Sequence, residues 1–221
     1  MSAQIRVAIL DDHQAIMDGY LYRLAGAVDI QVVATMLFGD ELEPTLEKTT
    51  VDVLILDIQV PTNQNNPNPY PLLYLLPKLI EEYPAMNMVV ISMHNQRTLV
   101  RNILEAGASG YILKDDRTAM LDLPAVIRVV ANGGVVYSPQ VAAMLKAQLK
   151  GEPSILTPRQ LEVLSYCAAY PEISTAEIAL KFNVSHSTVR NLLSGAYLRL
   201  DVPNRTAAIS KARQMGLITP F

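Results

Sequence analysis

Four short apolar runs, each closed by residues suited to handling a phosphoryl group, constrain this chain more than any other feature. Residues 5–10 lead into Asp11-Asp12, 53–56 into Asp57, 88–91 into Ser92, and 111–113 into Lys114. The stretches between them carry helical patterning, so the first part reads as repeated βα units and hence a parallel sheet. Strands of such a sheet all run the same way, and ligands bind beyond their carboxyl ends. Three carboxylates, a hydroxyl and an ammonium from distant positions therefore meet at one edge. Those are the parts of a metal-assisted phosphoryl-transfer site.

Strands are expected at about 5–10, 31–36, 53–57, 87–92 and 109–113, with a helix after each. Gly133-Gly134 closes the fifth helix, Ser138-Pro139 opens a short helical stretch over 141–149, and Gly151-Glu152-Pro153-Ser154 marks a boundary. The expected organisation is an α/β domain over 1–137, a linker helix and linker over 138–154, and an all-α domain over 155–221. Residues 61–71, PTNQNNPNPYP, are rich in Asn and Pro and read as loop.

The second part is marked by helix-start signals. Thr157-Pro158-Arg159-Gln160 is a capping box with proline at the first helical position, and Ser174-Thr175-Ala176-Glu177 is another. Ser185 precedes a third helix and Asn204 a fourth. Val189, Leu192, Leu193, Ala196 and Leu200 keep the spacing of one helical face. Helix, short turn at Asn183-Val184 and helix give the layout of a helix-turn-helix.

Length allows one large or two modest domains. No apolar run is long enough to span a membrane, and no basic segment followed by an apolar core opens the chain. Cys167 is the single cysteine, which excludes an internal disulfide framework and suits a reducing cytoplasm. It falls on an apolar stripe and reads as core. Residues 1–150 carry a net charge of −5 and residues 151–221 a net +2, which points the second part toward a polyanion.

Asp57 is the candidate nucleophile. Its charge repels an incoming phosphate, so a divalent cation must bridge the two. Mg²⁺ prefers oxygen ligands and retains waters; Asp12, Asp57 and a backbone carbonyl suffice, with Asp11 acting through water. Lys114 neutralises one phosphoryl oxygen and the Ser92 hydroxyl bonds another. Each residue alone has a plainer reading. Asp11 or Asp12 can cap the helix near His13, Lys114 can be a solvated loop lysine, and Ser92 a strand terminus. Their conjunction at the strand ends of one sheet favours the functional reading.

The stretches VAILDDHQAIMDGY, VDVLILDIQVP and ISMHNQRTLVRNILEAGASGYILKD resemble the receiver domain of bacterial response regulators. The stretch LTPRQLEVL followed by EIALKFNVSHSTVRNLLSGAYLRLDVPNRTAAI resembles the LuxR-type helix-turn-helix. Together they resemble the NarL/FixJ class of two-component response regulators over essentially the whole chain. The resemblance implies a flavodoxin-like receiver with a five-stranded parallel sheet of order 2-1-3-4-5, followed by a four-helix DNA-binding domain. It implies phosphorylation of Asp57 by a sensor histidine kinase, with Asp11, Asp12, Asp57 and the Gln59 carbonyl at the Mg²⁺. Ser92 and Tyr111 become the switch pair, and Lys114 the phosphoryl contact. A cytoplasmic transcription regulator that dimerises on double-stranded DNA, with no membrane partner and no enzyme activity of its own, follows.

On the recognition helix, expected from about His186 to Leu200, Ser187, Arg190, Asn191 and Ser194 lie opposite the apolar stripe. Arg190 is suited to guanine and Asn191 to adenine. Ser185 and Thr188 sit where free N–H groups hold phosphate, and Arg199 and Arg205 suit backbone contacts. The last helix, 205–215, is the family's usual dimer contact for this domain.

The chain also departs from the family. The segment after Asp57 is several residues longer than usual and has no glycine before Gly107. Pro77 predicts a kink or late start of the third helix, and Pro44 falls where the second is expected. Two other readings follow. A haloacid-dehalogenase-type phosphatase shares Asp, Lys and Mg²⁺, but requires a second Asp where Gln59 stands, and gives no reason for the helical second part. An atypical receiver, regulating transcription without phosphorylation through dimerisation or a partner or ligand near 61–71, draws on the long segment and is opposed by the complete acidic and basic set.

Overall fold

The computed structural model describes residues 4–146 and 155–220. The proposed boundary at 151–154, and the helical stretch beyond residue 146, lie outside the described residues.

Strands β1 (Ile5–Leu10), β2 (Ile30–Met36) and β3 (Val53–Leu56) form where β-branched and leucine residues run together. All four residues of β3 are buried, as a strand covered on both faces requires. Strands β6 (Asn87–Ser92), β7 (Gly110–Leu113) and β8 (Val136–Tyr137) complete a six-stranded sheet of order β2-β1-β3-β6-β7-β8, parallel throughout. The expected order stands, extended by β8 at the edge. This sixth strand follows because Ser109 and Tyr111 accept N–H bonds from Val136 and Ser138.

Side-chain alternation sorts the core into two layers. Val7, Ile9, Ile55, Val89, Ile91 and Ile112 face helices α1 (Gln14–Leu24) and α6 (Leu123–Ala131). Ala8, Leu10, Leu54, Leu56 and Val90 face α2 (Leu42–Lys48), α3 (Leu72–Glu82), α4 (Arg97–Glu105) and α7 (Pro139–Lys146). The fifth helix is divided. Asp116 caps α5 (Arg117–Leu121) by accepting the N–H groups of Thr118 and Ala119, and Pro124 lies in the first turn of α6. A proline ring there excludes a continuous helix through residue 120.

Residues 61–71 are not loop throughout. They form a β-hairpin, β4 (Pro61–Asn63) and β5 (Asn66–Pro69), turning at Gln64-Asn65. Asparagine side chains stand in for missing ladder bonds: Asn63 Oδ1 accepts the Asn65 N–H at 3.0 Å and Asn66 Oδ1 the Asn68 N–H at 3.2 Å. In a two-stranded ribbon each strand is an edge, so its prolines leave no ladder donor missing from a sheet interior. At the base, Tyr70 packs on Gly39, where a Cβ would stand only 2.1 Å from the ring.

Helix α3 starts at Leu72 and runs on through Pro77, so the late start expected from that proline does not occur. Leu72, Leu75, Leu76 and Leu79 are buried on one face, and their burial holds the helix across the lost N–H bond. Pro44 sits in the first turn of α2, where a backbone N–H has no intrahelical acceptor and its absence costs no helix bond.

The second part comprises α8 (Pro158–Ala169), α9 (Thr175–Lys181), α10 (His186–Leu200) and α11 (Arg205–Gln214) around its own core. Both capping boxes form, and Ser185 and Asn204 cap α10 and α11. Cys167 is buried there, and burial pushes its thiol up to about 11.

Ser138 joins β8 to α7 and is buried; its Oγ accepts the Leu113 N–H at 2.9 Å. Ser138→Ala leaves that donor unpaired at the end of β7 and is expected to cost about 1–3 kcal/mol, read as a lower urea midpoint with an unchanged slope.

Candidate functional site

The ladder continues one rung past the strand ends, and this places the chemistry. Asp57 N–H donates to the Leu10 carbonyl at 2.8 Å, Asp11 N–H to Met36 at 3.1 Å and Lys114 N–H to Ser92 at 2.9 Å. Each backbone bond fixes its residue at the carboxyl edge of the sheet. The Lys114 Nζ consequently lies 2.7 Å from Asp57 Oδ2 and 2.7 Å from Asp11 Oδ2. All three side chains are at most 5% exposed.

Two anions share one cation in a buried place. Burial pushes the Asp11 carboxyl up, with the Lys114 ammonium opposing. For Lys114 burial works against the charge, but attraction to Asp57 and Asp11 prevails and holds its pKa above the ordinary lysine value. A further cation at the outer side of the carboxylates is electrostatically favoured.

The space for one is present. Asp12, His13, Ile16, Asp57, Gln59, Met93 and Lys114 line a cleft of about 200 Å³. One ligand atom from each of Asp11, Asp12, His13 and Asp57 can lie within 4.8 Å of the others. The oxygen donors suit a hard divalent ion such as Mg²⁺. The Gln59 N–H donates to Asp57 Oδ1 at 3.2 Å, while its side-chain Oε1 lies 2.7 Å from His94 Nε2.

Ser92 and Tyr111 are both buried. The phenol of Tyr111 donates to the His94 carbonyl at 2.6 Å. Its pKa is raised by burial, with the Ser92 hydroxyl opposing through a hydrogen bond. Tyr111 thus stands turned inward against the segment that follows Ser92.

In the helical part the turn between α9 and α10 is made by Asn183, at φ 49°. Ser187, Arg190, Asn191 and Ser194 are exposed on α10, while Val189, Leu193, Ala196 and Leu200 are buried on the opposite face. Ser185 Oγ accepts the Thr188 N–H at 3.1 Å and pairs with the Ser187 and Thr188 hydroxyls at 2.8 and 2.7 Å. Arg199 is exposed near the far end of α10, its Nη1 3.3 Å from the Ile155 carbonyl. Arg205 is half-buried and donates to the Ile173 carbonyl at 2.7 Å, bracing the turn ahead of α9.

Residues 7–123 match the response regulator receiver domain, and residues 154–212 the bacterial regulatory proteins of the luxR family. The chain belongs to the NarL/FixJ class of two-component response regulators. The transcriptional regulatory protein UhpA of Salmonella typhimurium is 32% identical over 200 residues, covering 90% of this chain and 93% of the relative. DegU of Brevibacillus brevis is 27% identical over 237 residues, covering 97% and 95%. Among solved structures, RcsB from Salmonella enterica serovar Typhimurium bound to promoter P1flhDC in the presence of phosphomimetic BeF3- is 25% identical. It matches with a TM-score of 0.59 over 94% of this chain and 97% of that one.

Two residues went unread in the sequence of this response regulator: His13, which lines the cleft, and His94, which meets the side chain of Gln59. His13 follows the acidic pair directly, and that adjacency was the available signal. His94 had none, because it enters through a bend after β6 that no local pattern specifies.

Removing the shared cation exposes the balance. Lys114→Met leaves two buried carboxylates unpaired and is expected to destabilise the chelator-treated protein by about 3–5 kcal/mol in urea unfolding. Lys114→Met combined with Asp57→Asn should recover part of that loss.

Proposed function

We propose that residues 1–137 act as a receiver that accepts a phosphoryl group on Asp57. Residues 138–154 then serve as linker helix and linker, and residues 155–221 as the DNA-binding domain. The observation that carries this reading is the Asp57–Lys114–Asp11 cluster at the mouth of a cleft edged by Asp12 and Gln59. An Asp57 carboxylate oxygen forms the bond to phosphorus as the donor's leaving group departs with the bonding pair. Lys114 transfers part of its ion pairing from the carboxylates to the phosphoryl oxygens. Asp11, Asp12, Asp57 and the Gln59 carbonyl would hold Mg²⁺, which would supply positive charge against that accumulating there. Ser92 and Tyr111 respond to the new acceptor oxygens. The phosphodonor in the cytoplasm is a sensor histidine kinase.

Dimerisation, in which α11 takes part, then links two DNA contacts of low individual affinity. Solved RcsB structures are of two dimers bound to two parallel DNAs and of a promoter complex, and both support this reading for a chain of the same fold. Arg190 and Asn191 read base edges, Ser187 and Ser194 flank them, and Ser185 and Thr188 hold phosphate at the helix start. Arg199 and Arg205 contact the backbone, Arg205 after exchanging the Ile173 carbonyl for phosphate.

Intact mass after incubation with acetyl phosphate and Mg²⁺ tests the first half. One phosphoryl adduct is expected, absent with chelator and absent in Asp57→Asn. A folded protein that takes no adduct from acetyl phosphate or from a histidine kinase transmitter would instead favour regulation without phosphorylation.

For the second half, Arg190→Ala is expected to weaken binding to a selected operator by about 1–3 kcal/mol while leaving binding to random duplex little changed. Fluorescence anisotropy on the two duplexes separates these effects. An equal loss on both would assign Arg190 to phosphate instead of bases.

A further inference from the structure

The β4–β5 hairpin has no part in phosphoryl chemistry, yet it joins that site to the DNA-binding domain. Its root follows Gln59 by two residues, and Ile58 and Val60 on either side of Gln59 are buried. The Tyr70 N–H donates to the Val60 carbonyl at 2.9 Å, closing the hairpin base. Motion of Gln59 against Asp57 therefore moves the hairpin rather than being absorbed in slack chain.

At the other end, Asn66 Nδ2 donates to the Ala169 carbonyl at 3.0 Å. Ala169 is the last residue of α8, and carbonyls there have no intrahelical donor. The hairpin thus supplies, from the receiver, a capping bond to a helix of the other domain. A second grip lies just beyond it. Tyr74, in the first turn of α3, packs edge-on to Phe182, with ring centroids 5.7 Å apart. Phe182 closes α9 and also meets Tyr166 of α8 edge-on at 5.3 Å. Asn66 and Tyr74 accordingly hold both helices that precede the recognition helix.

Position gives this contact its consequence. Asn66 and Asn68 line a cleft with Tyr170, Glu172, Ile173 and Glu177, at the amino-terminal end of α9. In a helix-turn-helix the first helix crosses the nucleic-acid backbone. The hairpin, and the receiver of net charge −7 over residues 1–137 behind it, would then stand beside the path of the phosphates. The base-reading residues of α10 remain exposed, so the obstruction is at the backbone-facing edge.

We propose that the Asn/Pro hairpin is an autoinhibitory clamp, holding the DNA-binding domain against the receiver until loading of the Asp57 site displaces its root. This rests on the reading of Asp57 as phosphoryl acceptor for its release step, but not for the resting contact. Linkage makes the coupling reciprocal: a loosened clamp also eases metal and phosphoryl loading by the factor that loading eases release.

The test uses the full chain as wild type, Asn66→Ala and Tyr74→Ser, without phosphodonor. Small-angle scattering reports domain separation, and anisotropy on random-sequence duplex reports DNA binding. Each variant is expected to have a larger radius of gyration and about fivefold tighter DNA binding, the order set by one lost hydrogen bond. Wild type should reach the same state with Mg²⁺ and acetyl phosphate. Asn66→Ala alters the hairpin itself and Tyr74→Ser does not, so agreement between them excludes local misfolding as the cause. Unchanged scattering and DNA binding in both variants would overturn the clamp. Separation without tighter DNA binding would overturn its inhibitory role. Failure of the phosphoryl reading appears elsewhere, as a missing adduct by intact mass with the variant effects intact.

Discussion

Everything at the receiver's edge depends on one buried ammonium. Lys114 stands 2.7 Å from a carboxylate oxygen of Asp57 and of Asp11. Two carboxylates of like charge held this close, away from water, repel strongly unless a cation lies between them. The ammonium makes the arrangement possible but leaves it one positive charge short. That deficit makes a divalent ion at the outer side of the carboxylates electrostatically favourable. In the proposed phosphoryl acceptance, incoming oxygens would be met by the same lysine, which lowers the repulsion between carboxylate and phosphate. The sheet contributes the geometry, since the backbone bonds from Asp11, Asp57 and Lys114 to neighbouring strands fix all three before any ligand is present.

How far the sequence could be read depended on whether local rules or distant partners decide a position. Strand cores such as residues 53–56 are apolar throughout because both faces are covered, and parallel topology then carries Asp11, Asp57, Ser92 and Lys114 to one edge. The helical domain was legible nearly to the residue. Thr157, Ser174, Ser185 and Asn204 each cap the helix their spacing announces. Residues 61–71 were not legible, because Asn and Pro signal a turn without saying whether the flanks will pair. Pairing there is decided by side-chain bonds such as Thr62 Oγ1 to the Asn68 carbonyl at 2.8 Å, which composition cannot register. The late start expected from Pro77 failed for the opposite reason. A local rule against helix was overridden by burial of Leu75, Leu76 and Leu79 in the core. Arg205 looked like a surface cation, and its bond to the Ile173 carbonyl depends on a fold that brings α11 to the turn ahead of α9.

Inserted residues in a signalling domain are commonly tolerated because a surface loop costs little chain entropy as it lengthens. This insertion has gone further. Its asparagines satisfy one another's backbone groups, its aromatic base rests on a glycine, and its far strand meets another domain. A segment so organised transmits position, whereas a loose one would only span distance. The two ends of the hairpin are also chemically unequal. At the root, the Gln59 N–H bonds a carboxylate oxygen that a phosphoryl group or metal would compete for. Near the tip, a single amide bond meets the partner domain. The tip is the weaker end. A switch built this way releases its domain without unfolding the receiver, because the weaker contact is the one that gives.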